Sequence, residues 1–510
     1  MANSTSENNK RIAKNTLLLY MRMFVMMFTA LFTSRIVLQV LGETDYGIYN
    51  IIGGVVVLFS FLNSALLQAT QRFLNFNLGK KDEETTHKVF CMSLNSYFIL
   101  SVIFLILGET IGLWFVDTQL NIPENRMHAA HWVYQFSLLT FVINLIRVPY
   151  NATIIAYERM DFYAYLSLGE VVLKLIVVYL LYITTFDKLV FYSFLYTLVP
   201  LFITLLYKLY CNRHFPISHY KRFWDKNMFN QLFSFSGWSL LGNLANLAAS
   251  QGLNILINIF YGVTVNTALG IANQISSNVF HFISNFQVAF NPQIVKSYAA
   301  NETERLNSLI FSSSKLSFFL LFIIAFPLIL NMDFVLNLWL VDVPQYTAIF
   351  SKLILCFFLI EALSAPLWMF VQATGRIRNY QILIGILIFL NFPLAYLVLK
   401  YEFPVYYVWI ARIIVNVIVF SARCIYMKNN YEFPLNQYCI KVLFPIATVT
   451  IITIPCSILV WNIIDGYWPQ FLLSCLFTVM FTLTVIYIGG LTHNEKKFVA
   501  ELVRKKIRRQ

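Results

Sequence analysis

The chain has 510 residues, of which 59% are hydrophobic and 12% charged, and its mean hydropathy is +0.67. A soluble domain carries about a quarter charged residues, so the composition excludes a water-soluble globular fold. The net charge of +13 does not argue for nucleic-acid binding: the basic residues are spread over many short loops, where membrane topology and attraction to anionic lipid account for them.

Apolar runs long enough to cross a bilayer, which takes about 20 helical residues, occur near 14–41, 47–70, 89–116, 129–156, 162–184, 189–211, 230–261 and 266–295. They continue near 309–337, 347–373, 380–400, 404–427, 440–462 and 467–491. Backbone amides in lipid must be satisfied internally, and uniform apolar runs do this as helices rather than barrel strands. The expectation is an all-α integral membrane protein of about 14 transmembrane helices. Lys10, Arg11 and Lys14 precede the first run and no small-residue cleavage site follows it, so it is expected to be retained.

Charge sets the expected orientation. With the N-terminus cytoplasmic, 28 of the 37 Lys and Arg fall at cytoplasmic ends and loops. Only Arg126, Lys188 and Lys400 fall outside, and six lie within spans. Cytoplasmic loops are enriched in basic residues, so both termini are expected inside. The seven cysteines lie in spans or near cytoplasmic ends without metal-type spacing, which makes them packing residues rather than a disulfide framework.

The chain repeats itself. Leu113-Trp114-Phe115-Val116-Asp117 closes the third span and Leu338-Trp339-Leu340-Val341-Asp342 the ninth. Pro149, Ala156, Arg159, Tyr163, Tyr179 and Leu180 match Pro366, Ala373, Arg376, Tyr380, Tyr396 and Leu397 at one ungapped offset. A weaker match pairs Leu41-Gly42 and Gly47-Ile48 with Tyr261-Gly262 and Gly270-Ile271. Matched spans are six apart, so the repeat is parallel, about an axis along the membrane normal. The expected organisation is a cytoplasmic N-terminus (1–13), an N-lobe of six spans (14–211), a cytoplasmic loop (212–229) and a C-lobe of six spans (230–427). Two unmatched spans (428–491) and a basic cytoplasmic tail (492–510) follow, and the two lobes are expected to face a central cleft.

Four segments carry a family resemblance: Leu41-Gly42-Glu43-Thr44-Asp45-Tyr46-Gly47-Ile48-Tyr49; Gln71-Arg72-Phe73-Leu74 with Gly79-Lys80-Lys81-Asp82; Pro149 through Ala156-Tyr157-Glu158-Arg159-Met160; and Ser236-Gly237-Trp238 through Gly262 to Pro292-Gln293-Ile294. Together they resemble the polysaccharide flippases of the multidrug/oligosaccharidyl-lipid/polysaccharide transporter superfamily. The resemblance implies a multi-pass protein of the bacterial inner membrane. It would move an undecaprenyl-diphosphate-linked oligosaccharide by alternating access, for surface polysaccharide such as the O-antigen of lipopolysaccharide. The implied partners are that substrate, membrane lipids and other polysaccharide-assembly proteins; no cofactor and no nucleic acid is implied.

A flippase needs a polar, preferably cationic route. On span 7, Ser239, Asn243, Asn246, Ser250, Asn254 and Asn258 recur at steps of three or four, one helix face. Span 8 adds Asn273, Ser277, His281 and Ser284, and span 2 adds Ser60, Ser64, Gln68 and Gln71. Singly such residues serve as interhelical hydrogen bonds of about 1 kcal/mol; as a stripe they are expected to line a hydrated wall. Intramembrane ionisable residues are functional candidates by default. Arg22 is expected to bind diphosphate or to form a structural ion pair, the guanidinium fork suiting phosphate. Arg147 and Arg412 are candidate phosphate or sugar contacts. Glu170 and Lys174, one turn apart, are expected to neutralise each other, with ion coupling as their other role. Glu361 is either a protonation site for ion coupling or an arginine partner. Arg35 and Lys352 are expected to snorkel.

The alternative is a cation-coupled multidrug antiporter of the same superfamily, which should show acidic cleft residues; the deep spans instead hold an excess of cations. A membrane polymerase or ligase is the third reading. The short outer connections, without a carboxylate pair or metal cluster, argue against it and for a protein that is not an enzyme.

Overall fold

The computed structural model describes residues 18–26, 29, 33, 36, 37, 39–42, 45–49, 52, 60–119, 122–340, 342–464, 466–492, 495 and 496, with the side chains at 60–64, 119, 247, 248, 250, 251, 258, 263, 264 and 266 outside the description. Parts of the first two expected spans, Arg35, the side chains of Ser60, Ser64, Ser250 and Asn258, and the tail from 497 onward therefore lie outside the described residues.

Among the described residues the chain is helical and contains no strand. The helices are α1 (Ser60–Gly79), α2 (Glu83–Leu107), α3 (Leu113–Gln119), α4 (Met127–Ala156), α5 (Met160–Leu180), α6 (Lys188–His214), α7 (Lys226–Ala299) and α8 (Thr303–Leu330). They continue as α9 (Met332–Trp339), α10 (Thr347–Thr374), α11 (Arg378–Phe389), α12 (Asn391–Lys400), α13 (Tyr407–Tyr431), α14 (Leu435–Tyr438), α15 (Phe444–Ile463) and α16 (Tyr467–Val485). Ten of the described stretches are long and apolar enough to cross a membrane, so this is a multi-pass membrane protein. Exposed apolar side chains such as Phe98, Ile106, Leu459 and Leu476 are those that a bilayer covers.

Most helix ends fall within a few residues of those expected. One does not. The second span was expected to end near 70, but α1 runs to Gly79. Arg72 sits buried in that extension with its guanidinium 4.6 Å from the Phe73 ring and 4.8 Å from Phe76; aromatic faces shield a charge that hydropathy alone places in a loop. At its end, a Cβ on Gly79 would come within 2.7 Å of the Lys296 carbonyl oxygen, so only glycine allows this approach. Spans 7 and 8 form one helical stretch, α7, interrupted at Gly262 (φ 76°, ψ −172°), a backbone region essentially reserved for glycine.

The chain divides into two compact units, Met1–Asn243 with Val295–Asn301, and Leu244–Ile294 with Glu302–Gln510. In the first, α4 packs on α6, and α1 and α2 pack on α4. In the second, α10 packs on α8 and α13, while α15 and α16 pack on each other and on α8. The repeat is visible in backbone conformation. Left-handed residues recur at matching positions: Gly42 (φ 79°) with Gly262 (φ 76°), Lys81 (φ 58°) with Asn301 (φ 56°), and Glu158 (φ 59°) with Gly375 (φ 75°). Pro149 and Pro366 both lie inside helices.

The two unmatched spans are fastened to α8 by polar contacts. The Asn331 side-chain oxygen accepts from Trp461 Nε1 and Ser474 Oγ, each at 3.2 Å. Lys315, expected at a cytoplasmic helix end, is instead only 2% exposed, and its Nζ meets Glu495 at 2.7 Å. In the first unit, Asp187 caps α6 by accepting from the Leu189 and Val190 amides, and it pairs with Arg126, which also holds Asp45. The Arg126 hydrogen bonds hold the Asp187 carboxyl below the usual aspartate range.

Candidate functional site

Six of the described intramembrane charges gather into two clusters, one in each unit. In the first unit, α5 presents Glu170 and Lys174 one turn apart, and they pair at 2.8 Å. The sequence pattern predicts that pair. It does not predict Arg147 of α4, which reaches Glu170 at 3.2 Å and makes the pair a triad. Arg147 also lies 5.9 Å from the Tyr207 ring, and Lys174 lies 5.2 Å from the Tyr196 ring. Arg22 stacks on Tyr163 at 4.4 Å, and its Nε is buried without a hydrogen-bond partner. A cation over an aromatic face is held while its edge donors stay available.

The second unit contains a small pocket of about 20 Å³, room for roughly one water molecule. It is built mainly on α13. Arg412, Asn416, Val419 and Arg423 follow one another at steps of four, three and four, and all line the pocket, as one helix face requires. α10 adds Phe357 and Glu361, the break between α11 and α12 adds Ile388 and Asn391, and α7 adds Asn246. Arg412 lies 4.6 Å from the Trp409 ring and 4.9 Å from the Phe357 ring, two rings that themselves meet edge to face. Arg423 is only 7% exposed, yet its carboxylate neighbour, Glu361, is 3.7 Å away. That is an ion-pair distance but longer than a hydrogen bond. Arg423 Nε and Asn391 Oδ1 are both buried without hydrogen-bond partners. A buried guanidinium with unmet donors is costly, and such a group is suited to an oxyanion, which it can grip through two parallel bonds.

The predicted polar stripe is partly represented. Ser239 is buried, Asn243, Asn254 and Asn273 are half-buried, and Asn246 and Ser277 are exposed. Of these, Asn246 reaches the pocket. Ser277 Oγ donates to the Gln274 carbonyl, and Ser284 Oγ to that of His281. Thus Arg412, Glu361 and Asn246 come together in one pocket, while Arg147, Glu170 and Lys174 come together elsewhere. Three polar residues of the pocket were missed from sequence: Arg423, counted among the cytoplasmic cations, and Asn391 and Asn416. The signal for two of them was present in the spacing 412, 416, 423. Lys352, expected to snorkel, pairs with Asp333 at 2.9 Å. Among the described residues, no group of three or more His, Cys, Asp or Glu is placed to hold a metal ion.

No protein-family model matches the chain. No curated protein matches it in sequence. Solved structures do. The chain is similar to a multidrug resistance MATE-family transporter of the MOP superfamily in an outward-facing conformation, at TM-score 0.72 and 15% identity, over 84% of this chain and 96% of that one. It is also similar to a MATE structure in the bent conformation, at TM-score 0.70 and 16% identity, with 84% and 96% covered. A third is a MOP-superfamily transporter from Pyrococcus furiosus, at TM-score 0.69 and 12% identity, with 84% and 96% covered. That protein is described as having a binding pocket of reverse polarity that suggests a different function. At such identities the likeness speaks for architecture: this chain has the MATE-like transporter fold.

Proposed function

We propose that this chain is an ion-coupled secondary transporter that exports a drug-like solute in exchange for an inward-moving cation. What supports the reading is the fold, similar over 84% of the chain to a solved structure named as a multidrug transporter. Glu361 supplies a coupling group, since a carboxylate in an intramembrane polar pocket can exchange partners as cargo binds. The reading puts the protein in a bacterial inner membrane with both termini cytoplasmic, supported by the bias of Lys and Arg towards alternate loops. The test uses the purified chain in liposomes, a fluorescent lipophilic cation, and an imposed proton or sodium gradient. Gradient-driven accumulation, lost in Glu361→Gln, is expected. Equal accumulation in the variant overturns the role of Glu361, and no accumulation under either gradient overturns drug export.

A second reading has a specific observation in its favour: the pocket sets Arg412 and Arg423 against Glu361 alone, a lining matched to an anion rather than to a cationic drug. On this reading the chain flips an undecaprenyl-diphosphate-linked oligosaccharide for surface polysaccharide. Arg22, Arg147 and Arg412 serve the diphosphate, and Asn243, Asn246, Ser250, Asn254, Asn273 and Ser277 serve the polar path. The Pyrococcus neighbour's reversed polarity supports the premise that one fold accepts cargoes of different charge. Arg22→Ala and Arg22→Lys are the test. Normal surface polysaccharide in both, at normal protein levels, removes Arg22 from the route.

A further inference from the structure

The pocket in the second unit, from which one cargo reading takes Glu361 and the other the two arginines, combines features that neither reading joins. Arg423 is buried, has an Nε with no partner, and faces its carboxylate neighbour at 3.7 Å rather than in a hydrogen bond. Arg412 sits against two aromatic rings and, among the described residues, forms no ion pair. Among those residues Glu361 is also the only acid in the lining. The charged and titratable groups around it are Arg412 and Arg423 on α13 and Tyr380 on α11, which interacts electrostatically with both Arg423 and Glu361. α7 and α12 contribute the neutral Asn246 and Asn391.

We propose that this pocket binds an oxyanion only together with a proton: the anion takes the guanidinium that Glu361 now faces, and Glu361 takes the proton. The argument is one of competition. Arg423 offers a planar fork that suits two oxygens of one anion better than a carboxylate at 3.7 Å. An arriving dianion needs more room than the roughly one water for which the pocket has space, so Glu361 and Arg423 part to admit it and its charge then stands beside the carboxylate. A dianion beside an ionised Glu361 sets three negative charges against the two guanidiniums, and the excess favours a proton on the carboxylate. Protonation of Glu361 removes the conflict and leaves an O–H that can donate, within the pocket, to the unpartnered Asn391 Oδ1 or to the anion itself. No covalent bond changes beyond this; one proton moves from solvent to a Glu361 oxygen. Anion and proton affinities are then reciprocally linked. The proposal concerns this pocket alone and does not depend on which cargo reading holds.

Sulfate is the probe, because it stays dianionic from pH 5 to 8 and adds no proton of its own. The full chain in lipid nanodiscs is titrated with sodium sulfate by calorimetry, with proton uptake followed by an indicator dye in weak buffer. The expected result is about one proton taken up per sulfate bound, with affinity falling about tenfold per pH unit where Glu361 must gain that proton. Glu361→Gln is expected to bind sulfate with no proton uptake and no pH dependence, and Arg423→Gln to lose at least about tenfold in affinity. Geranyl diphosphate separates two sources of the oxyanion: displacement of sulfate at tenfold lower concentration assigns it to a lipid headgroup, and equal potency assigns it to a free ion. Sulfate binding without proton uptake in the unaltered chain overturns the proposal, as does binding indifferent to both Arg412→Gln and Arg423→Gln, or no binding in any form. Drug transport plays no part in these readouts, so failure here is distinguishable from failure of the export reading.

Discussion

Each unit places two cations beside one carboxylate, and the two arrangements differ in how tightly that carboxylate is held. Glu170 receives Lys174 at 2.8 Å and Arg147 at 3.2 Å. Glu361 has Arg423 at 3.7 Å, and Arg412 beside it leans on aromatic rings instead. The first is a closed triad whose members satisfy one another; the second leaves donors unmet in a pocket. Counting intramembrane charges therefore does not identify a site. The geometry of pairing separates the two arrangements, because a carboxylate in two hydrogen bonds is held more firmly than one at 3.7 Å.

The largest expected effect tests that contrast directly. Glu170→Gln strands two half-buried cations, and removing one partner from such a cluster costs about 3–5 kcal/mol. Glu361→Gln removes one loose contact at 3.7 Å rather than two hydrogen bonds, so it should cost less, about 1–3 kcal/mol for the buried Arg423 left behind. Thermal unfolding of the two purified variants checks this, and equal losses would erase the distinction. Glu495→Gln should approach the first value, because it leaves Lys315 buried at 2% exposure without its partner. Adding Lys315→Met should recover most of that loss; no recovery would show that Glu495 acts through something other than Lys315.

Smaller effects sharpen the comparison of the two repeats. Asn331→Ala removes the acceptor shared by Trp461 and Ser474, at a cost of about 1–3 kcal/mol for the donors left behind. Protease cleavage between α15 and α16 should accelerate if those helices loosen from α8. At matched left-handed positions the first unit has Glu158 and the second Gly375. Gly375→Ala should cost about 1 kcal/mol, read as a modest drop in thermal midpoint. The smallest effect concerns pH. The folded Asp187 carboxyl lies below the usual range, so its contribution to stability is complete above the unfolded value of about 3.9 and fades as pH falls through the lower folded value. The thermal midpoint of Asp187→Asn should therefore differ from that of the parent at pH 6 and converge on it at strongly acid pH. A constant difference would show that the carboxylate's charge is not what matters.

Much of the fold was legible in the residues themselves. Hydropathy located the spans because a helix in lipid needs a long apolar run, and Glu170 and Lys174 announced their pairing by a one-turn spacing. The repeat, read from scattered Trp, Pro, Arg and Tyr matches, reappears as left-handed residues at matching positions. The charge count set Arg72, Lys315 and Arg423 among the cations of cytoplasmic ends and loops, and all three are buried. Their burial depends on partners remote in sequence: Glu495 for Lys315 and Glu361 for Arg423. For Arg72 it depends on flanking rings and on Phe235, 5.8 Å away. Local pattern determines where a helix runs and which face is polar, since those follow from periodicity along the chain. Whether a buried charge is neutralised or left with open donors is decided by which helices meet, and only the tertiary structure brings Arg147 to Glu170 and leaves Arg423 at a distance from Glu361.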